Sequence, residues 1–149
     1  MCASMLGSGS TPKISLVALG LLAGCFGGEQ ISQIPPETTA LKQGLGRVAV
    51  YRASGFGRTI QSVVKIDGVE TGRCKPGKAF FIDTTPGQHR LSAQVDAKTH
   101  RDVLVEEGQT TYLKCVVKTG FVYAVPHLVE VEPAIAMPEI SKLKLAGRY

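Results

Sequence analysis

Between residues 46 and 131 the chain is punctuated by turn-forming dipeptides: Asp67-Gly68, Pro76-Gly77, Pro86-Gly87, Glu107-Gly108 and Thr119-Gly120. The stretches between them are short and rich in β-branched residues, and several alternate apolar with polar. Turns recurring about every 8–12 residues, with such runs between them, specify short strands joined by tight reversals. The chain is 44% hydrophobic and 19% charged, so it can bury a core.

Arg47–Arg52 is a β-rich run bounded by glycines. Ser62–Ile66 is a second strand, and Asp67-Gly68 follows it at once, the dipeptide whose turn needs positive φ at both positions. Val69–Cys74 returns as its hairpin partner. Ala79–Asp83 is next, and Pro86-Gly87 suits a type II turn. From His89 to Asp96 the alternation is clean, with Leu91, Ala93 and Val95 on one face. Asp102–Glu106 is short. Gln109–Lys118 is the longest strand, with Leu113, Cys115 and Val117 on one face. Phe121–Val125 and Leu128–Val131 are shorter candidates, interrupted by Pro126. Pro138–Leu145 reads as a short terminal helix, with proline in its first turn and Glu139 at the positive end of the dipole. A strand with Leu143 and Leu145 inward is the alternative. The expected fold is all-β: a small sandwich of about seven or eight short antiparallel strands with a short C-terminal helix. A small barrel is the other arrangement that fits.

Ahead of this domain lies a segment of different character. Lys13 is a lone positive residue, Ile14–Leu22 is apolar, and Leu22-Ala23-Gly24-Cys25 follows. The apolar run is too short to span a bilayer and fits the core of a secretory leader. The last four residues resemble the lipobox of bacterial lipoproteins. That resemblance implies cleavage after residue 24, lipid on the Cys25 thiol and a membrane anchor. Phe26 rather than aspartate follows the cysteine, which favours the outer membrane, facing the periplasm, in a Gram-negative host. Residues 25–45, with Gly27-Gly28 and Pro35-Pro36, read as the lipidated cysteine and a tether. A segment docked on the domain through Ile31 and Ile34 is the alternative. The domain organisation is thus 1–24 leader, 25–45 anchor and tether, and 46–149 sandwich.

The formal net charge is +5, of which Lys13 belongs to the leader. No Lys/Arg run exceeds two residues, so nucleic acid is not an expected partner. Membrane contact through the lipid, and a protein or glycan of the envelope, are the expected partners.

The run Val64-Lys65-Ile66-Asp67-Gly68, then Gly72, Gly77-Lys78-Ala79-Phe80 and Pro86-Gly87-Gln88-His89, resembles the bacterial family known as domain of unknown function 2846. Leu128-Val129-Glu130-Val131, Glu139-Ile140 and Leu143 also fit it. The central motif is similar, more loosely, to surface sandwiches of the PEGA type. The resemblance implies an envelope β-domain and carries no catalytic residues.

Few residues offer chemistry. Cys2 leaves with the leader, and Cys74 and Cys115 form an even pair in an oxidising compartment. They are read either as a disulfide or as two core thiols. No CxxC occurs, and His89, His100 and His127 are scattered, so no metal or other cofactor is expected. No GxSxG elbow is present and no catalytic residue is assigned. The loop Ala53–Thr59 places Phe56 between glycines with Arg52 and Arg58 nearby, a candidate interaction loop. Arg73, Lys75 and Lys78 cluster beside Cys74 and suit anionic headgroups or a protein partner. The expected function is a non-enzymatic, lipid-anchored protein that presents its sandwich for protein or glycan interaction. The alternatives are a structural subunit of an envelope assembly and a hydrolase with a site assembled in three dimensions.

Overall fold

The computed structural model describes residues 40–94, 99–119 and 124–146. Its elements are β1 (Gly46–Arg52), β2 (Val63–Ile66), β3 (Val69–Arg73), β4 (Lys78–Thr84), β5 (Gly87–Gln94), β6 (His100–Val105), β7 (Thr110–Thr119), β8 (Ala124–Val131), α1 (Pro133–Ile140) and β9 (Lys144–Leu145). They form two sheets, in strand order β8-β7-β1-β4-β9 and β3-β2-β5-β6. This is the all-β sandwich that the turn spacing predicts. Most pairings are antiparallel, but β1 lies parallel to β7 and β4 parallel to β9.

The core lies between the sheets. Val48 and Val50 of β1, Phe80 of β4 and Leu113 of β7 meet Val64, Leu91, Ala93, Val103 and Val105 of the facing sheet. Asp67 and Gly68 both adopt positive φ (49° and 84°), as the tight β2–β3 reversal demands. β1 is buried along its whole length. Its alternate residues Ala49 and Tyr51 face outward and are covered, with Ala79, by Ala136, Ile140 and Leu143. The central strand of one sheet is therefore sealed on both faces, by the second sheet and by α1. Small side chains at Ala49, Ala79 and Ala136 leave room for the helix to approach. Tyr51 donates its hydroxyl to Glu139 Oε2 at 2.7 Å, and Lys114 Nζ holds Glu139 Oε1 at 2.7 Å. Those bonds hold the Glu139 carboxyl below the usual range, while burial and the adjacent carboxylate push the Tyr51 phenol up.

Three expectations are corrected. The helix spans Pro133–Ile140, not Pro138–Leu145, and Pro138 lies inside it. Residues 144–145 are instead β9, which closes the sheet beside β4. Glu139 consequently sits in the last turn, where the dipole disfavours it, and Lys114 and Tyr51 outweigh that penalty. Second, β8 runs unbroken through Pro126, which opposes Val117. β8 is an edge strand, where a missing N–H is tolerated. Third, residues 40–45 of the expected tether touch the domain: Gly108 N donates to Leu45 O at 3.0 Å, and Arg47 Nη2 to Ala40 O at 2.9 Å. The leader, Cys25, residues 26–39, the strand expected over 121–123 and Val95 lie outside the described residues.

Strand pairing gives the sandwich two distinguishable ends. Gly46 pairs with Thr84, and Arg47 with Thr110, at the end where the described chain enters. Arg52 pairs with Lys78, and Lys78 with Lys144, at the far end. Glu106, Glu107 and the ion-paired Asp83 and Arg47 belong to the entry end, and Arg52, Lys78 and Lys144 to the far end.

Candidate interaction surface

The far end is organised by the last residue of β1. Val48 and Val50 point into the core, and Arg52 follows in the same phase. Its side chain is drawn inside, leaving the residue 3% exposed. The guanidinium meets carbonyl oxygens there. Nη2 donates to Phe56 O at 2.8 Å and Gly57 O at 2.9 Å, and Nη1 donates to Ile60 O and, at 3.2 Å, to Cys74 O. Fixed carbonyl dipoles solvate this buried charge, and burial pulls its pKa below the ordinary arginine value.

This hub joins two segments that are remote in sequence. The loop over 53–61 wraps around the guanidinium, and the turn after Cys74 shares it. Gly77 N donates to Arg52 O at 2.9 Å and Cys74 N to Ser62 O at 2.9 Å, so loop and turn form one surface. Gly57 is constrained twice. Its φ is +74°, and an added Cβ would lie 3.3 Å from atoms of Arg52, Ile60 and Val117. Cys74 is disulfide-bonded to Cys115 of β7, with the Cα atoms 6.2 Å apart, and both lie in the core. The bridge staples the turn to the opposite sheet.

The interaction loop expected at Arg52, Phe56 and Arg58 is thus divided. Arg52 is interior scaffold, unable to reach a ligand without dismantling the loop. Phe56 is 66% exposed at the loop surface and Arg58 is exposed beside it. Arg73, Lys75 and Lys78 border the same surface, with Arg73 lying 3.6 Å from Glu70. Lys144 joins them, directly opposite Lys78 on the adjoining strand. Arg52, Lys78 and Lys144 thereby form a row of three cations across β1, β4 and β9. Like charges directly opposed on neighbouring strands repel, so this row raises the positive potential of the far end.

No known family model, curated protein or solved structure matches this chain.

Two other polar features lie away from the far end. A groove of about 540 Å³ runs along the open side between β6 and the β7–β8 pair. Leu104, Tyr112, Val131, Glu106 and Glu132 line it, and an Arg101–Glu130 ion pair at 2.9 Å crosses it between the sheets. On the other sheet, His89 Nδ1 lies 2.6 Å from Asp67 Oδ2 and Nε2 lies 2.7 Å from Thr85 O. Both neighbours are acceptors, so satisfying both requires a proton on each ring nitrogen. The bond to Asp67 raises the His89 pKa above its ordinary value. The Arg90 amide and then His89 lower that of Asp67. This unit ties the β2–β3 turn to the start of β5, and Arg90 and Asp102 pair beside it at 2.7 Å.

His100 and His127 lie on β6 and β8. Among the described residues no group of three or more His, Cys, Asp or Glu side chains is placed to hold a metal ion.

Sequence reasoning missed the Arg52 hub, Lys144, and the Tyr51–Glu139–Lys114 contact. The first left a signal: a strand whose inward positions read Val48, Val50, Arg52 sends its arginine into the interior. The others depend on α1 and β9, whose boundaries the prolines obscured.

Proposed function

We propose that the chain is a non-enzymatic, lipid-anchored protein of the bacterial cell envelope. It is cleaved before Cys25, acylated on that cysteine, and presents its sandwich to a protein or glycan partner. In a Gram-negative host it faces the periplasm from the outer membrane. The observation that carries this reading is the buried Cys74–Cys115 disulfide, because such bridges form and persist in oxidising compartments. It accords with the Ile14–Leu22 run and the Leu22–Cys25 lipobox, two features remote from it in sequence.

The groove between β6 and β8 is the surface best suited to that partner. It combines the Tyr112 ring and Leu104 with carboxylates and the Gln109 amide, a mixture of flat apolar area and orienting hydrogen-bond groups.

The test is the intact mass of protein extracted from membranes, before and after reduction and alkylation. The expected mass is that of a chain beginning at acylated Cys25, with Cys74 and Cys115 blocked until reduction. An uncleaved chain with free thiols would refute the proposal. Crosslinking in the membrane fraction then identifies the partner, and Tyr112→Ala and Glu130→Gln should each weaken its recovery.

A further inference from the structure

We infer that the far end of the sandwich is a docking surface for an anionic phospholipid bilayer. Phe56 enters the headgroup–acyl boundary, and Arg58, Arg73, Lys78 and Lys144 meet the lipid phosphates. This goes beyond the envelope reading and does not require lipid on Cys25, because the surface is complete within the folded domain.

Four observations carry it. The first is Phe56, a large apolar side chain 66% exposed on a loop whose Phe56 and Gly57 carbonyls are pinned to Arg52. An aromatic held outward on a rigid mount loses little entropy on insertion. The second is the setting of that ring. Arg58 shares its loop, and Arg73 and Lys78 border the adjoining turn. An apolar tip ringed by cations matches an anionic interface, where burial and electrostatic attraction add. A purely polar anionic chain would leave Phe56 without a role.

The third observation is the row Arg52–Lys78–Lys144, set side by side through the β1–β4 and β4–β9 pairings. Arg52 is solvated by carbonyls and keeps its charge, so the repulsion it shares with the two lysines is relieved by an external anion. The fourth is the distribution of charge. The exposed carboxylates Glu106 and Glu107 belong to the entry end, where Asp83 is ion-paired with Arg47, whereas the exposed cations Arg58 and Lys144 belong to the far end. The domain therefore orients in the field of a negative surface with its far end forward.

The geometry permits this on the bilayer that the anchor would occupy. Cys25 and Ala40 are separated by fifteen Cα-to-Cα steps, which reach at most about 50 Å. The seven residues of β1 cover about 23 Å at the rise of a strand. Chain length is thus sufficient for the domain to lie with its far end on the membrane and its β6–β8 groove clear of it.

The chain contains no tryptophan, so Phe56→Trp introduces a single tryptophan at the contact, which is excited at wavelengths where the four tyrosines do not absorb. The full protein extracted from membranes and carrying Phe56→Trp is placed in nanodiscs with acyl-brominated lipids, either all phosphatidylcholine or one-third phosphatidylglycerol. Quenching is expected with phosphatidylglycerol, little without it, and reversal in high salt. In the same background, Arg58→Gln, Lys78→Gln and Lys144→Gln together should lower the docked-to-free ratio by roughly a hundredfold, about fivefold per charge. The circular dichroism spectrum and the intact disulfide verify that each variant is folded.

Absence of quenching in phosphatidylglycerol discs overturns the inference, as does quenching indifferent to salt and to the triple substitution. Charge-dependent capture of a soluble anionic polysaccharide without quenching in discs assigns the surface to a polymer and also overturns it. Retention on the disc through a high-salt wash reads the anchor separately. If retention fails, the same protein is added to preformed vesicles of the two compositions, and quenching there judges the docking surface alone.

Discussion

Replacing Arg52 by methionine tests whether the far end hangs on one buried guanidinium. The substitution keeps an unbranched apolar stem but deletes the donors to the carbonyls of Phe56, Gly57, Ile60 and Cys74. A hydrogen bond from a charged donor contributes about 1.5–3 kcal/mol, so four would total about 6–12 kcal/mol if all were lost without recovery. Two effects reduce this. Loop carbonyls can turn toward water, and the variant no longer buries a charge that lacks a carboxylate partner. A net loss of about 3 kcal/mol remains. For a domain of this size that lowers Tm by roughly 12–24 °C. The assay is urea and thermal unfolding of the protein at fixed pH, followed by circular dichroism, with amide exchange read over residues 53–61. Arg58→Met, at an exposed position of the same loop, should stay within about 0.5 kcal/mol. A loss below about 1 kcal/mol for Arg52→Met, or unchanged exchange in the loop, would show that the loop does not depend on the hub. The division between scaffold and contact residues would then be wrong.

Further outcomes are expected elsewhere. Replacing Cys74 and Cys115 together by alanine should cost about 4 kcal/mol in the chain-entropy account, seen as a lower midpoint in denaturant; a cost under 1 kcal/mol would deny the bridge its role. Gly72→Ala would place a Cβ 2.6 Å from the Phe80 ring, so it should destabilise by about 1–3 kcal/mol, and Phe80→Leu in the same chain should recover part of that. The His89 pKa is raised from 6.5 in the folded state. Its bond to Asp67 therefore contributes full stability below about pH 6.5 and loses it as pH rises through the higher folded value. Asp67 has its pKa lowered from 3.8, so its contribution is present above that value and fades as pH falls through the lower folded one. Unfolding free energy measured from pH 5 to 9 should show the His89 decline, and His89→Gln should abolish it; an imidazole found neutral by NMR at pH 6 would exclude the two-acceptor geometry.

The sandwich was legible because its signals are local. Asp67-Gly68 and Pro86-Gly87 place reversals by backbone sterics alone, and Leu91 and Ala93 report a buried face through a period of two. The partner of β1 was not legible. A run of apolar residues on both faces says that a strand is central, but nothing within Arg47–Arg52 names Thr110–Lys114 as its parallel neighbour. The helix was displaced by five residues because two prolines compete for its start. Pro138 looks like a first-turn residue, yet Pro133 takes that place and Pro138 is carried inside. Packing of Ala136 and Ile140, with the Glu139 bonds to Tyr51 and Lys114, overrides the local cost of an interior proline. At the candidate surface the exposed members, Phe56 and Arg58, could be named from their loop. Arg52 belongs to both loop and strand in the sequence, and its phase in the strand, which follows Val48 and Val50, decides that it is interior.

The parallel pairing of β1 with β7 sets a timetable for the newly made chain. β1 is made before the other described strands, but Thr110 must follow Arg47 out before that edge is filled, and β9 closes the other side of β4 only after β7 and β8. Holding so long a loop closed costs entropy that only late contacts return. β1, buried along its whole length in the finished fold, therefore waits, unpaired along one side, until β7 has been made. Until β7 has been made the sheet cannot close on β1, and the chain stays threadable for that interval. It also exposes a sticky edge for that interval, so a holding chaperone would have its best grip on residues 46–52.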